Sequence, residues 1–193
     1  MSNKNNTLTT EDFKQAAKIL KCDIFAIQAV ADVEAPKGGF FPNGFPVILF
    51  EGHWFHRLTK GAYSKEHLTI SYPKWTRKFY GKTWKEEIKR FNEAFELDPY
   101  AAIMSASWGK FQILGVNYSY CQFISAIDFQ IKMEDSEREH LIAFCNYIKN
   151  VGLADELREL RWDDFAYKYN GPEYKKNRYA EKLENAYYKR RLG

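Results

Sequence analysis

The stretch Ile24-Phe25-Ala26-Ile27-Gln28-Ala29-Val30-Ala31-Asp32-Val33-Glu34-Ala35-Pro36 decides the fold. Ile27, Val30, Ala31 and Glu34 fall at i, i+3, i+4 and i+7 and share one helix face, the apolar one. Asp23 stands where an N-cap belongs. Pro36 stops the helix, because the residue before a proline avoids helical backbone angles. A carboxylate is therefore aimed inward from the last turn, near the negative end of the helix dipole. Partial burial and the dipole both disfavour its charged form. The expectation is a raised pKa, and a group that holds a proton near neutral pH and can deliver it as a general acid. The competing reading is a partly exposed glutamate in an ordinary C-terminal turn. The rest of the chain has to choose.

Outward from this helix the pattern stays mostly helical. Thr9 or Thr10 can cap a helix whose Phe13, Ala16, Ala17 and Leu20 keep helical spacing. Thr83-Trp84-Lys85-Glu86 reads as a capping box opening a helix with Trp84, Ile88, Phe91 and Phe95 on one face. Asp98-Pro99 reads as cap plus first-turn proline for a short helix through Met104. Ser136 and Glu139 form a second box ahead of Leu141, Phe144, Cys145 and Ile148, with Gly152 as the stop. Helices near Leu153–Leu160 and Trp162–Tyr169 follow, and a last one carries Tyr179, Leu183, Ala186 and Tyr187. The exception is the segment 36–80. Its Gly38-Gly39 and Asn43-Gly44 are turn signals, Val47–Phe50 suits a strand or a buried helix start, and 61–81 looks irregular or β-rich. The expectation is a mainly α chain of α+β type: one domain, 1–193, with a small lobe at about 36–80 inserted after the glutamate, forming a groove.

Composition sets bounds. At 193 residues, with 45% hydrophobic and 28% charged residues, the chain can bury a substantial core. The aromatic share of 17% suits that core and also a groove that stacks sugar rings. The first ten residues are polar and contain no apolar signal region. No run approaches the ~18 apolar residues of a membrane span, so no stable membrane insertion is expected. Cys22, Cys121 and Cys145 are odd in number and widely spaced, which suits core residues made in a reducing compartment. The net charge of +4 is concentrated between Tyr174 and Arg191. A basic last helix favours an anionic polymer, or is simply a solvated face. No nucleic-acid-binding module accompanies it, so no nucleic-acid partner is expected.

Two further segments carry chemistry beside Val33-Glu34-Ala35. In Ser105-Ala106-Ser107-Trp108-Gly109-Lys110-Phe111-Gln112, small residues permit tight backbone beside a cleft. There Ser107 and Gln112 offer a hydroxyl and an amide able to orient a sugar. The competing reading is a helix–turn–helix junction with Ser107 as N-cap. In Tyr167-Lys168-Tyr169-Asn170-Gly171-Pro172, Asn170 either ends a helix or, with the Tyr169 hydroxyl, faces an N-acetyl group. Glu51, His53 and His56 do not match the zinc spacing His-Glu-x-x-His and lack an evident third ligand, so no metal and no cofactor are expected.

Together these segments resemble the lysozyme-like superfamily, with its lytic transglycosylases and goose-type lysozymes. They resemble most the phage endolysin N-acetylmuramidase family. The residues that carry the resemblance are Ala29-Val30-Ala31-Asp32-Val33-Glu34, Gly39-Phe40 with Gly44 and Pro46, Ile48-Leu49-Phe50-Glu51-Gly52-His53-Trp54-Phe55, the 105–113 segment and Tyr169-Asn170-Gly171-Pro172. Two features depart from it: Lys110 stands where an apolar residue is usual, and no separate wall-binding module, often fused in the family, is expected. The resemblance implies a lysozyme-like fold and cleavage of the β-1,4 bond between N-acetylmuramic acid and N-acetylglucosamine. Glu34 would be the acid. Glu51, beside His53, would stabilise the cationic transition state or activate water, or would be structural. Without a second carboxylate the outcome would be a 1,6-anhydro product. Ser107, Gln112, Tyr169, Asn170 and His53 are the expected substrate contacts. Peptidoglycan glycan strands are the expected partner, and a monomer is expected. Cytoplasmic synthesis without a signal peptide, followed by action on the bacterial wall, completes the expectation.

Overall fold

The computed structural model describes residues 7–193. The polar start at residues 1–6, part of the segment read as lacking a signal region, lies outside them. Helix α1 (Thr10–Leu20) begins with a reciprocal capping box. The Thr9 hydroxyl accepts from the Asp12 N–H at 3.2 Å, and the Asp12 carboxylate accepts from the Thr9 N–H at 2.9 Å.

Helix α2 (Ile24–Glu34) is capped by Asp23, whose carboxylate accepts from the Phe25 N–H. It is buried on nearly every side. Ala26, Ile27, Ala29, Val30 and Ala31 are each at most 1% exposed. A helix apolar all round belongs at the centre of a core, and its alanines let neighbours approach closely. The final helix, α10 (Tyr179–Leu192), makes its largest contact. Tyr179, Leu183 and Tyr187, spaced by four, are the buried residues of α10. The Tyr187 hydroxyl donates to Asp23 at 2.9 Å, and the Tyr179 hydroxyl donates to Glu34. One row of side chains thus ties down both ends of α2.

The remaining helices are α3 (Gly52–Leu58), α4 (Trp84–Leu97), α5 (Pro99–Met104), α6 (Ala126–Met133), α7 (Glu137–Asn150), α8 (Ala154–Arg158) and α9 (Trp162–Asn170). Strands β1 (Ile48–Phe50), β2 (Ala106–Trp108) and β3 (Ile113–Leu114) form an antiparallel sheet in the order β1-β2-β3. Their alternation sends Ile48, Phe50, Ala106, Trp108 and Ile113 into the core. Leu49, Ser107 and Leu114, which are neighbours across the register, line up on the other face.

The structure corrects several expectations. The segment around Ser107 is strand and turn, not a helix junction. The sheet therefore draws two of its three strands from outside 36–80, because cross-strand pairing brings 106–114 onto 48–50. The 61–81 stretch is a chain of turns with no strand among the described residues. The capping boxes at Thr83 and Ser136 form by half. Each hydroxyl accepts the expected N–H at 3.3 Å, but Glu86 turns back to the Lys82 N–H and Glu139 faces Lys132. Helix α6, capped by Ser125, had no counterpart in the sequence reading.

Two buried polar clusters fix the lobe to the helices. Strand β1 is an edge, and its outward backbone groups at Phe50 are taken up by α4. The Phe50 N–H donates to Glu87, and the Phe50 carbonyl accepts from Arg90 at 3.1 Å. Glu87 and Arg90 pair at 2.8 Å, and Glu87 also accepts the Gly81 N–H. This ion pair, bonded to the strand's backbone, stands in for a fourth strand. On the other side, the His140 ring lies between Met133 and Lys110. Its Nδ1 accepts from the Lys110 N–H at 3.0 Å, which leaves Nε2 to donate to the Met133 carbonyl at 2.7 Å. Burial pushes its pKa down to about 4, which keeps this neutral tautomer. Neighbouring Glu137 accepts the backbone N–H groups of Gly39 and Leu8. A Cβ at Gly39 or Gly109 would strike the His140 ring, which accounts for glycine at both positions.

Candidate active site

An open groove of ≈ 1100 Å³ runs between the lobe and the helices, and Glu34 reaches it from the end of α2. The Leu49–Ser107–Leu114 row of the sheet floors part of it. Glu34 is largely enclosed by protein yet keeps an opening to the groove. Burial raises its pKa to about 7, against the opposing effect of hydrogen bonds from Tyr179 and Asn170. Desolvation wins because two donors do not replace a full hydration shell. The two donors matter in the other direction. They await the carboxylate that forms once the proton leaves, so both states of the acid are provided for.

Helix α2 ends at Glu34 with no basic residue in its last turn. Lys110 supplies the missing cation from another segment. Its ammonium donates to the Ala35 carbonyl at 2.9 Å, where a positive charge meets the helix dipole. The departure at Lys110 thus secures the backbone that carries the acid.

Glu51 lines the same groove from the junction of β1 and α3. The Tyr80 hydroxyl lies 2.8 Å from both of its oxygens. His53 Nδ1 sits 3.3 Å from Glu51, without hydrogen-bonding geometry. His56 turns away to Ser64 Oγ at 2.6 Å, so the two histidines do not converge. No group of three His, Cys, Asp or Glu among the described residues is placed to hold a metal.

The groove brings together every residue expected from the sequence: Glu34, Glu51, His53, Ser107, Gln112, Tyr169 and Asn170. Their duties differ from the expectation. Gln112, held at a left-handed φ of 47°, spends its amide N–H groups on the Val47 and Gly109 carbonyls. Only its carbonyl oxygen remains for a ligand. The Tyr169 hydroxyl donates to the Phe111 carbonyl at 2.6 Å, so its ring rather than its donor is offered to the groove. Asn170 is the last helical residue of α9 and stands near enough to Glu34 to favour its charged form, while Gly171 takes the positive φ of 78° beyond it. Among the basic residues in and just before the last helix, Lys182 lines the groove, whereas Arg178 and Arg190 pair with Glu181 and Asp32.

Sequence reasoning missed Tyr179 and Tyr80. Tyr179 was read as a core residue of the last helix and Tyr80 as part of an irregular run. No local spacing could have found either, since each meets its carboxylate across a long stretch of chain. Two of the cysteines, Cys121 and Cys145, are buried and Cys22 is partly so; all three are free thiols. No helix among the described residues is long and apolar enough to cross a membrane.

The arrangement has counterparts. The sequence profile of the family described as Muramidase, N-acetylmuramidase, matches residues 23–191. A solved structure, the crystal structure of a Burkholderia AP3 phage endolysin, superimposes with a TM-score of 0.84 at 32% identity, covering 96% of this chain and 72% of that one. No curated protein matches.

Proposed function

The chain belongs to the N-acetylmuramidase family, and from that membership we propose that it is a peptidoglycan-degrading endolysin, cleaving the β-1,4 bond between N-acetylmuramic acid and N-acetylglucosamine with Glu34 as general acid. The observation that carries this reading is a carboxyl buried at the end of α2, with a pKa of about 7 and an opening onto a groove. At neutral pH a large fraction of Glu34 holds its proton. That proton passes to the bridging oxygen as the glycosidic bond breaks. The new carboxylate is met by the hydroxyl of Tyr179 and the amide of Asn170.

The sugar left behind carries positive charge at its anomeric carbon. Glu51, across the groove, answers that charge or directs water at it. Ser107 and the free carbonyl of Gln112 orient the sugar over the floor of the sheet. The wall of a bacterium is the site of action that this substrate dictates.

One observation favours a second outcome. Tyr80 holds both oxygens of Glu51 and so competes with water for them. The substrate's own hydroxyl would then attack and leave a 1,6-anhydro end, the lytic transglycosylase product. Mass spectrometry of digested peptidoglycan tests both. New reducing-end muramic acid supports hydrolysis, and anhydromuramic ends support the second outcome. Intact glycan strands contradict the glycosidase reading altogether.

A further inference from the structure

The groove holds an aromatic that the proton chemistry leaves unused. Trp75 lines it and is 45% exposed. Water leaves so large an apolar ring unsatisfied, and an exposed aromatic in a concave polar site is a common ligand anchor. The other groove aromatics are less exposed: Tyr174 and Tyr179 are buried, and Trp54, Tyr80, Tyr147 and Tyr169 are partly so.

Trp75 does not hang loose. Tyr80 lines the same groove, with its hydroxyl bonded to Glu51. The Arg77 guanidinium lies 5.6 Å from the ring centroid and is itself bonded to Asn177 on the helical wall at 2.8 Å. The ring is therefore backed by a cation that is itself held in place. A platform held in this way gives up little freedom when a ligand settles on it.

We propose that Trp75 is a sugar-stacking platform, on which the C–H face of an N-acetylhexosamine ring lies in the groove that also holds Glu34 and Glu51. The proposal rests on the glycosidase reading of the groove and adds a binding subsite to it. A pyranose offers one apolar face to the indole while its hydroxyls and acetamido group stay in water or meet polar groups. The ligand class is thus a β-1,4-linked N-acetylhexosamine chain.

The test uses the full chain carrying Glu34→Gln, so that no turnover occurs, with a soluble N-acetylglucosamine tetramer as probe in calorimetric titration. Adding Trp75→Ala is expected to weaken binding about tenfold, the change that corresponds to ~1.4 kcal/mol. Trp75→Phe keeps a stacking face but loses the N–H, and is expected to restore most of the affinity. In the otherwise native enzyme Trp75→Ala is expected to raise KM more than it lowers kcat. Equal affinity with and without Trp75 overturns the proposal. So does an absence of tetramer binding in every variant. Release of sugar reducing ends or anhydro ends from peptidoglycan by the native chain judges the glycosidase reading separately. Should Trp75→Ala fail to fold, Trp75→Leu takes its place, a bulky side chain without a flat face, with the same loss expected. Tetramer affinity reduced as far by Trp75→Phe as by Trp75→Leu contradicts a stacking platform.

Discussion

The hydroxyl of Tyr179 donates to Oε1 of Glu34, so the last helix of the chain closes on the acid that ends the second. This bond favours the carboxylate, in opposition to burial. Tyr179→Phe removes it and should raise the pKa of Glu34 above about 7. Protonated Glu34 is the working form, so the basic limb of the activity–pH profile should move upward by roughly one pH unit. Activity at the optimum should fall, because the departing carboxylate loses a stabilising donor. Wall-clearing rates measured from pH 5 to 9 check both. A basic limb that moves downward contradicts the assignment.

Stability should vary with pH through the same residue. Glu34 has a folded pKa of about 7 against an ordinary 4.5. Between those values the folded state binds the extra proton, so Glu34 costs stability as pH rises from 4.5 to 7. His140 acts in the opposite direction. Its folded pKa of about 4 lies below the usual 6.5, so its contribution is full above pH 6.5 and lost as pH falls to 4. Glu34→Gln should therefore be more stable than the native chain at pH 8, by on the order of 1–3 kcal/mol, and no more stable at pH 4. In that variant the loss between pH 6.5 and 4 from His140 should stand unmasked. Urea midpoints at pH 4, 5.5 and 8 provide the comparison.

Arg90 should be among the most sensitive positions in the lobe. Arg90→Met leaves Glu87 buried without its cation and the Phe50 carbonyl without its donor. Removing one partner of a buried pair costs about 3–5 kcal/mol, and β1 carries Glu51 at its end. Denaturant unfolding should show that loss, together with activity reduced beyond what the unfolded fraction explains. A loss under about 1 kcal/mol would mean that the pair is not holding the edge strand.

Lys110 offers a milder test. Lys110→Met deletes the cation at the Ala35 carbonyl and should cost about 1 kcal/mol. Lys110→Arg should recover most of it. Thermal unfolding measures the cost. No change in melting temperature for Lys110→Met would show that the end of α2 is secured without it.

Much of this was legible in the chain because local rules and the fold agree. Thr9, Asp23 and Asp98 cap helices as their residue types suggest, and the inward aim of Glu34 follows from spacing and Pro36. The sheet was less legible. Ala106-Ser107-Trp108 is too short for alternation to register, and its strand character comes from pairing with Leu49 and Leu114. Helix α6 was hidden because Ile127 and Ile131 face solvent, which blurs the apolar stripe. The donors to the two carboxylates were the least legible part. Tyr179 and Tyr80 are set by tertiary contact, and a tyrosine in a core stripe looks the same whether or not its hydroxyl serves a site.

The most direct test of Glu34 as proton donor is the clearing of peptidoglycan suspensions by Glu34→Gln near pH 6, beside its binding to intact walls. Loss of a general acid should slow clearing by about 10²–10⁴-fold while wall binding persists. A folded Glu34→Gln chain that clears walls at the native rate would contradict the account.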